Sequence, residues 1–200
     1  MKTLCKLQKY SVHKRRVRVL KSLIGPLLSS NATVLDVGCG DGLLSKDLLS
    51  YETGITITGL DVNVRKETFI PVVKFDGEFI PFDNESFDIV MFIDVLHHTI
   101  NPLSLLLEAS RVTKKAIIIK DHILEGILAY HTLCFMDWLG NAQHDVEIPN
   151  NYMTRERWAE LFNEIELNVL WWNEKLNLYP IPADWIFGRS LHFISSLEKQ

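Results

Sequence analysis

The chain has 200 residues, 47% of them hydrophobic and 23% charged, a length and balance that suit one globular domain with a core of its own. Cys5, Cys39 and Cys134 are too few and too odd in number for a disulfide framework and point to a reducing, cytoplasmic setting. The net charge of −4 hides a split: Met1 to Leu35 carries eight Lys/Arg and no carboxylate, and all twenty-five acidic residues lie beyond it, so a basic arm precedes an acidic body.

From Val12 the positions Val12, Val19, Leu20, Leu23, Ile24 and Leu27 fall on one helical stripe, with Lys14, Arg15, Arg18 and Lys21 largely opposite. Residues 1–30 read as a basic helical arm and 31–200 as one domain. Thr33 to Val37 is a β-branched run that stops at Gly38-Cys39-Gly40-Asp41-Gly42, and a helix is expected from about Leu43 to Ser50. Further strands are expected over Ile55 to Leu60, ending at Asp61, and over Pro71 to Phe75, ending at Asp76. Phe87 to Asp94 is almost continuously apolar, as a strand covered on both faces would be.

Asn101-Pro102 has the composition of a helix start, asparagine as cap and proline in the first turn. Ala116 to Lys120 is a strand ending at Asp121-His122. Ile123 to Gly140 is apolar but broken by Glu125, His131 and Asp137; it reads as a buried helix, not a membrane span. No signal-peptide pattern precedes it at the N-terminus. A polar loop to Tyr152, a helix over Arg155 to Glu164, and two β-rich stretches at Leu167 to Trp172 and Arg189 to Ser195 complete the chain.

Strands alternating with helices, each strand ending in glycine, aspartate or histidine, describe a doubly wound α/β sheet. Ligands bind such sheets beyond the carboxyl ends of the strands, so these polar residues gather in space. Glycines at 38, 40 and 42 let a ligand approach the main chain. Asp61 is placed to accept ribose hydroxyls, and Asp76 an exocyclic amine. The loop spacing is Gly-x-Gly-x-Gly and carries Asp36 and Asp41. A pyrophosphate avoids such acidity, whereas a ligand bearing an ammonium and a sulfonium suits it.

The string Val34-Leu35-Asp36-Val37-Gly38-Cys39-Gly40-Asp41-Gly42, the acidic Asp61 after Thr58-Gly59-Leu60, the segment Asp76 to Phe82, and Phe87-Asp88-Ile89-Val90 leading to Val95-Leu96-His97-His98 resemble class I S-adenosylmethionine-dependent methyltransferases. The likeness is to the type 11 branch, which includes ubiquinone/menaquinone-type methyltransferases. It covers about residues 31–125. It implies a Rossmann-like, seven-stranded, mostly parallel sheet of order 3-2-1-4-5-7-6 with an antiparallel last strand, a slot that Leu191 to Leu197 fits. It also implies a site for S-adenosyl-L-methionine, released as S-adenosyl-L-homocysteine. Asp36, Gly38, Cys39 and Gly40 would hold the methionine part, Asp61 and Val62 the ribose side, and Asp76 and Gly77 the adenine, with Ile93 facing the sulfonium.

Methyl transfer from a sulfonium is an in-line displacement, and an oxygen or activated-carbon acceptor needs a base. Histidine is the natural candidate. His122 ranks first because the end of its strand faces the acceptor side, with Asp121 beside it as an alternative polar anchor. His98 and then His144 follow. A metal is not expected: Cys-x-x-Cys and His-x-x-x-His spacings are missing, and adjacent histidines on a strand end tend to point apart.

After strand four the sequence reads Ile93-Asp94-Val95-Leu96, without the Asn/Asp-Pro-Pro-Tyr/Phe signature that family resemblance associates with amines of nucleobases and glutamine. A small-molecule acceptor is the default. Leu128 to Trp138, with Trp171, Trp172, Tyr179, Trp185 and Phe187, could line an apolar pocket, and Asn173 to Phe187 could cover it. The arm reads as a solvated charged face docked by its apolar stripe at the site's rim. Tyr10 is its one aromatic residue, which argues against nucleic acid and leaves only surface contact with a membrane. A nucleic-acid or protein methyltransferase docking through the arm, and a catalytically silent cofactor-binding module, stay open as alternatives, as does the oligomeric state.

Overall fold

The computed structural model describes residues 14–141 and 149–199. Seven strands form one sheet: β1 (Thr33–Val37), β2 (Thr56–Asp61), β3 (Val72–Lys74), β4 (Phe87–Ile93), β5 (Thr113–His122), β6 (Leu167–Asn173) and β7 (His192–Lys199). Their order is β3-β2-β1-β4-β5-β7-β6. β1 to β5 pair in parallel, and β7 runs antiparallel between β5 and β6. The helices are α1 (residues 14–24), α2 (Leu43–Leu48), α3 (Pro102–Val112), α4 (Ala129–Asn141), α5 (Arg155–Glu164) and α6 (Asp184–Phe187).

Alternation along the central strands divides the core into two layers. Leu35, Val90, Phe92, Ile117 and Ile119 pack on one face under α3 and α5, with Leu105, Ala109, Trp158 and Leu161. Val34, Met91 and Ile118 face the other way, against Leu20 and Ile24 of α1 and Leu48 of α2. Each such side chain, fully buried, contributes roughly 1.5–3 kcal/mol. Caps hold the helix starts that face the strand ends. Asn101 accepts from the Ser104 amide at 3.2 Å, and Thr154 from the Arg157 amide at 3.3 Å.

Most element boundaries agree with the sequence reading to within a few residues, and three points differ. The long helix starts at Ala129, not Ile123: Gly126 takes φ 92° and Leu128 φ 61°, and left-handed backbone there breaks the helix. α4 is also only half buried. Ala129 and Leu133 face inward, whereas Tyr130, Phe135, Trp138 and Leu139 are exposed. The stripe of α1 runs through Val17, Leu20 and Ile24, and Val19 is only partly covered. Among the described residues, no helix is long and apolar enough to cross a membrane.

Candidate active site

Two joined cavities, of about 590 and 420 Å³, lie beyond the carboxyl ends of the strands and share Gly38, Gly40, Asp94 and His98 in their walls. Each falls in the range that small-molecule sites occupy. The loop between β1 and α2 forms their common edge. Gly38 has φ 73°, and a Cβ there would run into the Val95 side chain, so the turn admits only glycine without strain. The Gly40 amide donates to Asp61 Oδ2 at 2.8 Å, and the Asn63 amide to Asp61 Oδ1 at 2.8 Å. These bonds fix the Asp61 carboxylate on the wall of the larger cavity.

Asp76, with Val62 and Gly77, lines that same cavity. Its Oδ1 accepts the amides of Glu78 and Phe79, both at 2.8 Å, which holds its carboxyl below the usual range. Asp36, Cys39 and Ile93 line the smaller cavity. Burial pushes the Asp36 carboxyl up to about 7 despite the Ser45 hydroxyl donating at 2.5 Å, and Asp61 pushes the same way. Burial and the neighbouring carboxylates Asp36 and Asp61 also push the Cys39 thiol up, so it stays protonated and acts as wall, not nucleophile.

Strand register builds the floor of the smaller cavity. Ile93 pairs with Lys120 across β4 and β5, and His122 pairs with His192 across β5 and β7. Asp94, just past β4, takes φ 58°, a backbone state that aspartate tolerates better than most residues. Its carboxylate is ion-paired with both Lys120 and Arg16 of α1. His192 Nε2–H donates to the Phe187 carbonyl at 2.9 Å, leaving its Nδ1 to accept from His122 Nδ1–H at 3.0 Å. His122 Nε2 then faces Asp137 Oδ1 at 3.5 Å and Asp94 Oδ1 at 3.7 Å. Burial and the neighbouring His97 hold His122 down at about 4.

His97 and His98 sit on a 3-10 turn, Leu96–His98. Their rings do not point apart as a strand would make them: the centroids are 3.8 Å from each other. Asp121 is fully buried and committed, accepting from His97 Nδ1 at 2.5 Å and from the amides of Leu96 and His122. It is therefore a support for His97, not the acceptor anchor anticipated from its position beside His122. Burial opposes protonation of His97, but Asp121 and Asp137 outweigh it and raise the ring to about 9. Burial and His97 lower His98 to about 4.

The sequence-nominated residues thus come together: Asp36, Gly38, Cys39, Gly40, Asp61, Val62, Asp76, Gly77, Ile93, His98 and His122 all line the two cavities. His144 lies outside the described residues. Arg16, Asp94, Lys120, Asp137 and His192 were not singled out by the sequence, yet they line the same cleft. Asp94 and Lys120 carried a signal, a charge closing an apolar strand, and Asp137 another, a charge inside an apolar run; Arg16 and His192 carried none. Of the aromatic candidates, Tyr179 reaches the cavity, Trp172 stacks on Phe193 in the core, and Trp185 is exposed.

Residues 35–119 match the model of the methyltransferase domain of type 11. Over 77 residues the chain is 36% identical to the phthiotriol/phenolphthiotriol dimycocerosates methyltransferase of Mycobacterium leprae, covering 34% of this chain and 28% of that protein. Over 96 residues it is 30% identical to the ubiquinone biosynthesis O-methyltransferase of Hydrogenovibrio crunogenus, covering 42% and 39%. The chain thus matches less than half the length of these relatives. In fold it is similar to a solved S-adenosylmethionine-dependent methyltransferase of Thermotoga maritima, with a TM-score of 0.67 and 18% identity over 100% of this chain and 97% of that one.

Proposed function

Because residues 35–119 match the type 11 methyltransferase domain, we propose that the chain is a class I S-adenosylmethionine-dependent methyltransferase whose cleft binds S-adenosyl-L-methionine across both cavities and methylates a small-molecule acceptor, on oxygen or an activated carbon. The observation that carries this reading is the line of three carboxylates, Asp36, Asp61 and Asp76, on the walls of two joined cavities. Their chemistry fits the cofactor: two pinned acceptors for hydroxyls and an amine, and a buried carboxyl for an ammonium. When bound, the cofactor supplies a methyl group made electrophilic by its sulfonium.

The residues of the chain align, shield and accept a proton. Asp61 and Asp76 hold the nucleoside end, and the glycine loop with Asp36 holds the amino-acid end. Ile93 turns the sulfonium side toward the floor formed by His98, His122 and Asp94. His122 is the first candidate base and His98 the second; His144 is the third. In-line geometry follows from confining donor and acceptor to one narrow cleft. Arg16 and Tyr179 rim the smaller cavity, which supports the reading of residues 1–30 as an arm at the site's rim and 31–200 as the catalytic domain; of the arm, residues 1–13 lie outside the described residues.

Thermal shift with S-adenosyl-L-homocysteine tests cofactor binding: a ligand of the folded state alone raises the melting temperature, and no shift at millimolar ligand removes the reading. Incubation with methyl-labelled S-adenosyl-L-methionine and a fractionated extract then identifies the acceptor. Label in the small-molecule fraction is expected. Label only in nucleic acid or protein would replace this acceptor class with a macromolecule.

A further inference from the structure

We propose that His97, His98 and Asp137 form a site for one divalent transition-metal ion of the zinc class, set at the inner wall of the smaller cavity with its open position toward the acceptor. One donor atom from each of the three residues lies within 4.8 Å of the others. His97 Nε2 and Asp137 Oδ2 are 3.3 Å apart, close to the edge of about 3.3–3.4 Å that two ligands define around a tetrahedral ion at 2.0–2.1 Å. The site draws on two elements, the turn after β4 and helix α4. That separation in sequence is why no ligand spacing announced it.

Three further features are those of a built site. His97 Nδ1 lies 2.5 Å from a carboxylate oxygen of Asp121, which fixes the ring and aims Nε2 toward Asp137; a bound ion takes the place of the proton that Nε2 otherwise carries. A carboxylate behind a histidine is how metal-binding imidazoles are commonly oriented. Asp121 is itself pinned by the amides of Leu96 and His122. His98 Nδ1 is buried without a hydrogen-bond partner, a state that costs free energy unless something coordinates it, and His97 Nε2 faces Asp137 at 3.3 Å. Asp137 is oriented by the Tyr152 hydroxyl, which donates to the same oxygen, Oδ2, that faces His97.

Three protein ligands and one open position describe a catalytic rather than a structural ion. His98 and Asp137 line the smaller cavity beside His122, so the open position faces the acceptor. This part rests on the methyltransferase reading and deepens it: the acceptor is a hydroxyl compound whose oxygen binds the ion. Binding acidifies the hydroxyl. Its O–H bond breaks with the electron pair left on oxygen and the proton passing to His122 Nε2. The oxygen then bonds the methyl carbon while the S–C pair returns to sulfur, leaving a methyl ether and a neutral thioether.

The test is cobalt(II) titration of the chelator-stripped full chain, read by visible absorption, with S-adenosyl-L-homocysteine binding measured calorimetrically on the same preparation. One equivalent of Co²⁺ with ligand-field bands of low coordination number, displaced by Zn²⁺, is expected. His98→Ala should weaken binding by about 100-fold or more and Asp121→Asn by about 10- to 100-fold, while His131→Ala, on the exposed face of α4, should not change it. If Asp137→Asn does not fold, His98→Ala carries the test, since it removes a ring whose Nδ1 makes no hydrogen bond. No band at millimolar cobalt, or wild-type binding by His98→Ala, overturns the metal site and leaves His97 an imidazolium between two carboxylates. Homocysteine-ligand binding without cobalt binding removes the ion alone; cobalt binding without it removes the methyltransferase reading alone.

Discussion

Lys120, fully buried near the end of β5, places its Nζ on the carboxylate of Asp94, the first residue beyond β4, while burial and the nearby Arg16 push its amine well below the ordinary lysine range. A lysine so placed cannot be solvated, and the single carboxylate it touches is also shared with Arg16. The pair ties the ends of two neighbouring strands together at the floor of the cleft. Removing one partner of a buried ion pair costs about 3–5 kcal/mol, because the other charge is left stranded. Asp94→Asn, which leaves the buried Lys120 without its carboxylate, is expected to lower stability by up to about that amount in urea unfolding, and Lys120→Met by less, because Arg16 still pairs with Asp94. The double variant should lose less than the two combined, by about 1 kcal/mol or more. Strict additivity would show that the two groups do not act as a pair.

Arg16 is the point where the arm enters the site. Its ion pair with Asp94 is partly exposed, with 35% of the Arg16 side chain accessible, so its stability contribution is about 1 kcal/mol or less. Its position on the cavity wall matters more. Arg16→Ala is expected to raise KM several-fold with the melting temperature nearly unchanged. Unaltered KM and kcat would mean that the arm is not a rim of the site.

Asp36 supplies a pH signature. Its carboxyl is raised to about 7 in the folded chain, whereas an unfolded aspartate loses its proton near 3.9. The unfolded state therefore holds fewer protons between these values, and stability falls as pH rises from about 4 to 7, then levels. Asp36→Asn should abolish that slope and be more stable than the wild type at pH 8, by up to about 4 kcal/mol. The same variant should bind S-adenosyl-L-homocysteine roughly 10- to 100-fold more weakly at pH 8, as loss of a charge-assisted contact implies. Parallel stability curves for the two proteins from pH 4 to 8 would contradict the assignment.

Gly38 and Gly126 both take positive φ, at 73° and 92°, but a Cβ on Gly38 meets Val95 whereas one on Gly126 meets nothing within 4 Å. Gly126→Ala is expected to cost about 1–2 kcal/mol, from backbone strain alone. Gly38→Ala should cost more, because Val95 must move, and should also reduce cofactor binding. Equal losses in thermal unfolding, with cofactor affinity intact in both, would show that the glycine loop is not shaped by this contact.

Much of the fold was legible from local pattern. β-branched and apolar runs mark β1, β4 and β5, the Asn101-Pro102 pair marks the start of α3, and the glycine run marks the turn at the common edge of the two cavities. The carboxylates Asp36, Asp61 and Asp76 were legible because strand ends of a doubly wound sheet open onto one side. The start of α4 was not, because an apolar run does not reveal which residues turn left-handed. Nor was its exposed outer face, which depends on what packs against it.

The amino-acid sequence by itself carried the likeness to the methyltransferases, the strand order that likeness implies, and the residues proposed to face the cofactor, since these rest on short-range spacing and on backbone conformations only glycine adopts readily. The tertiary structure alone decided the chemistry of the other end of the cleft. His122 meets His192 only through the antiparallel register of β5 and β7, seventy positions apart. Asp137 reaches His97 only through the seating of α4, and Arg16 reaches Asp94 only through the docking of α1. Contacts of that kind are fixed by packing between distant elements, and no local periodicity records them.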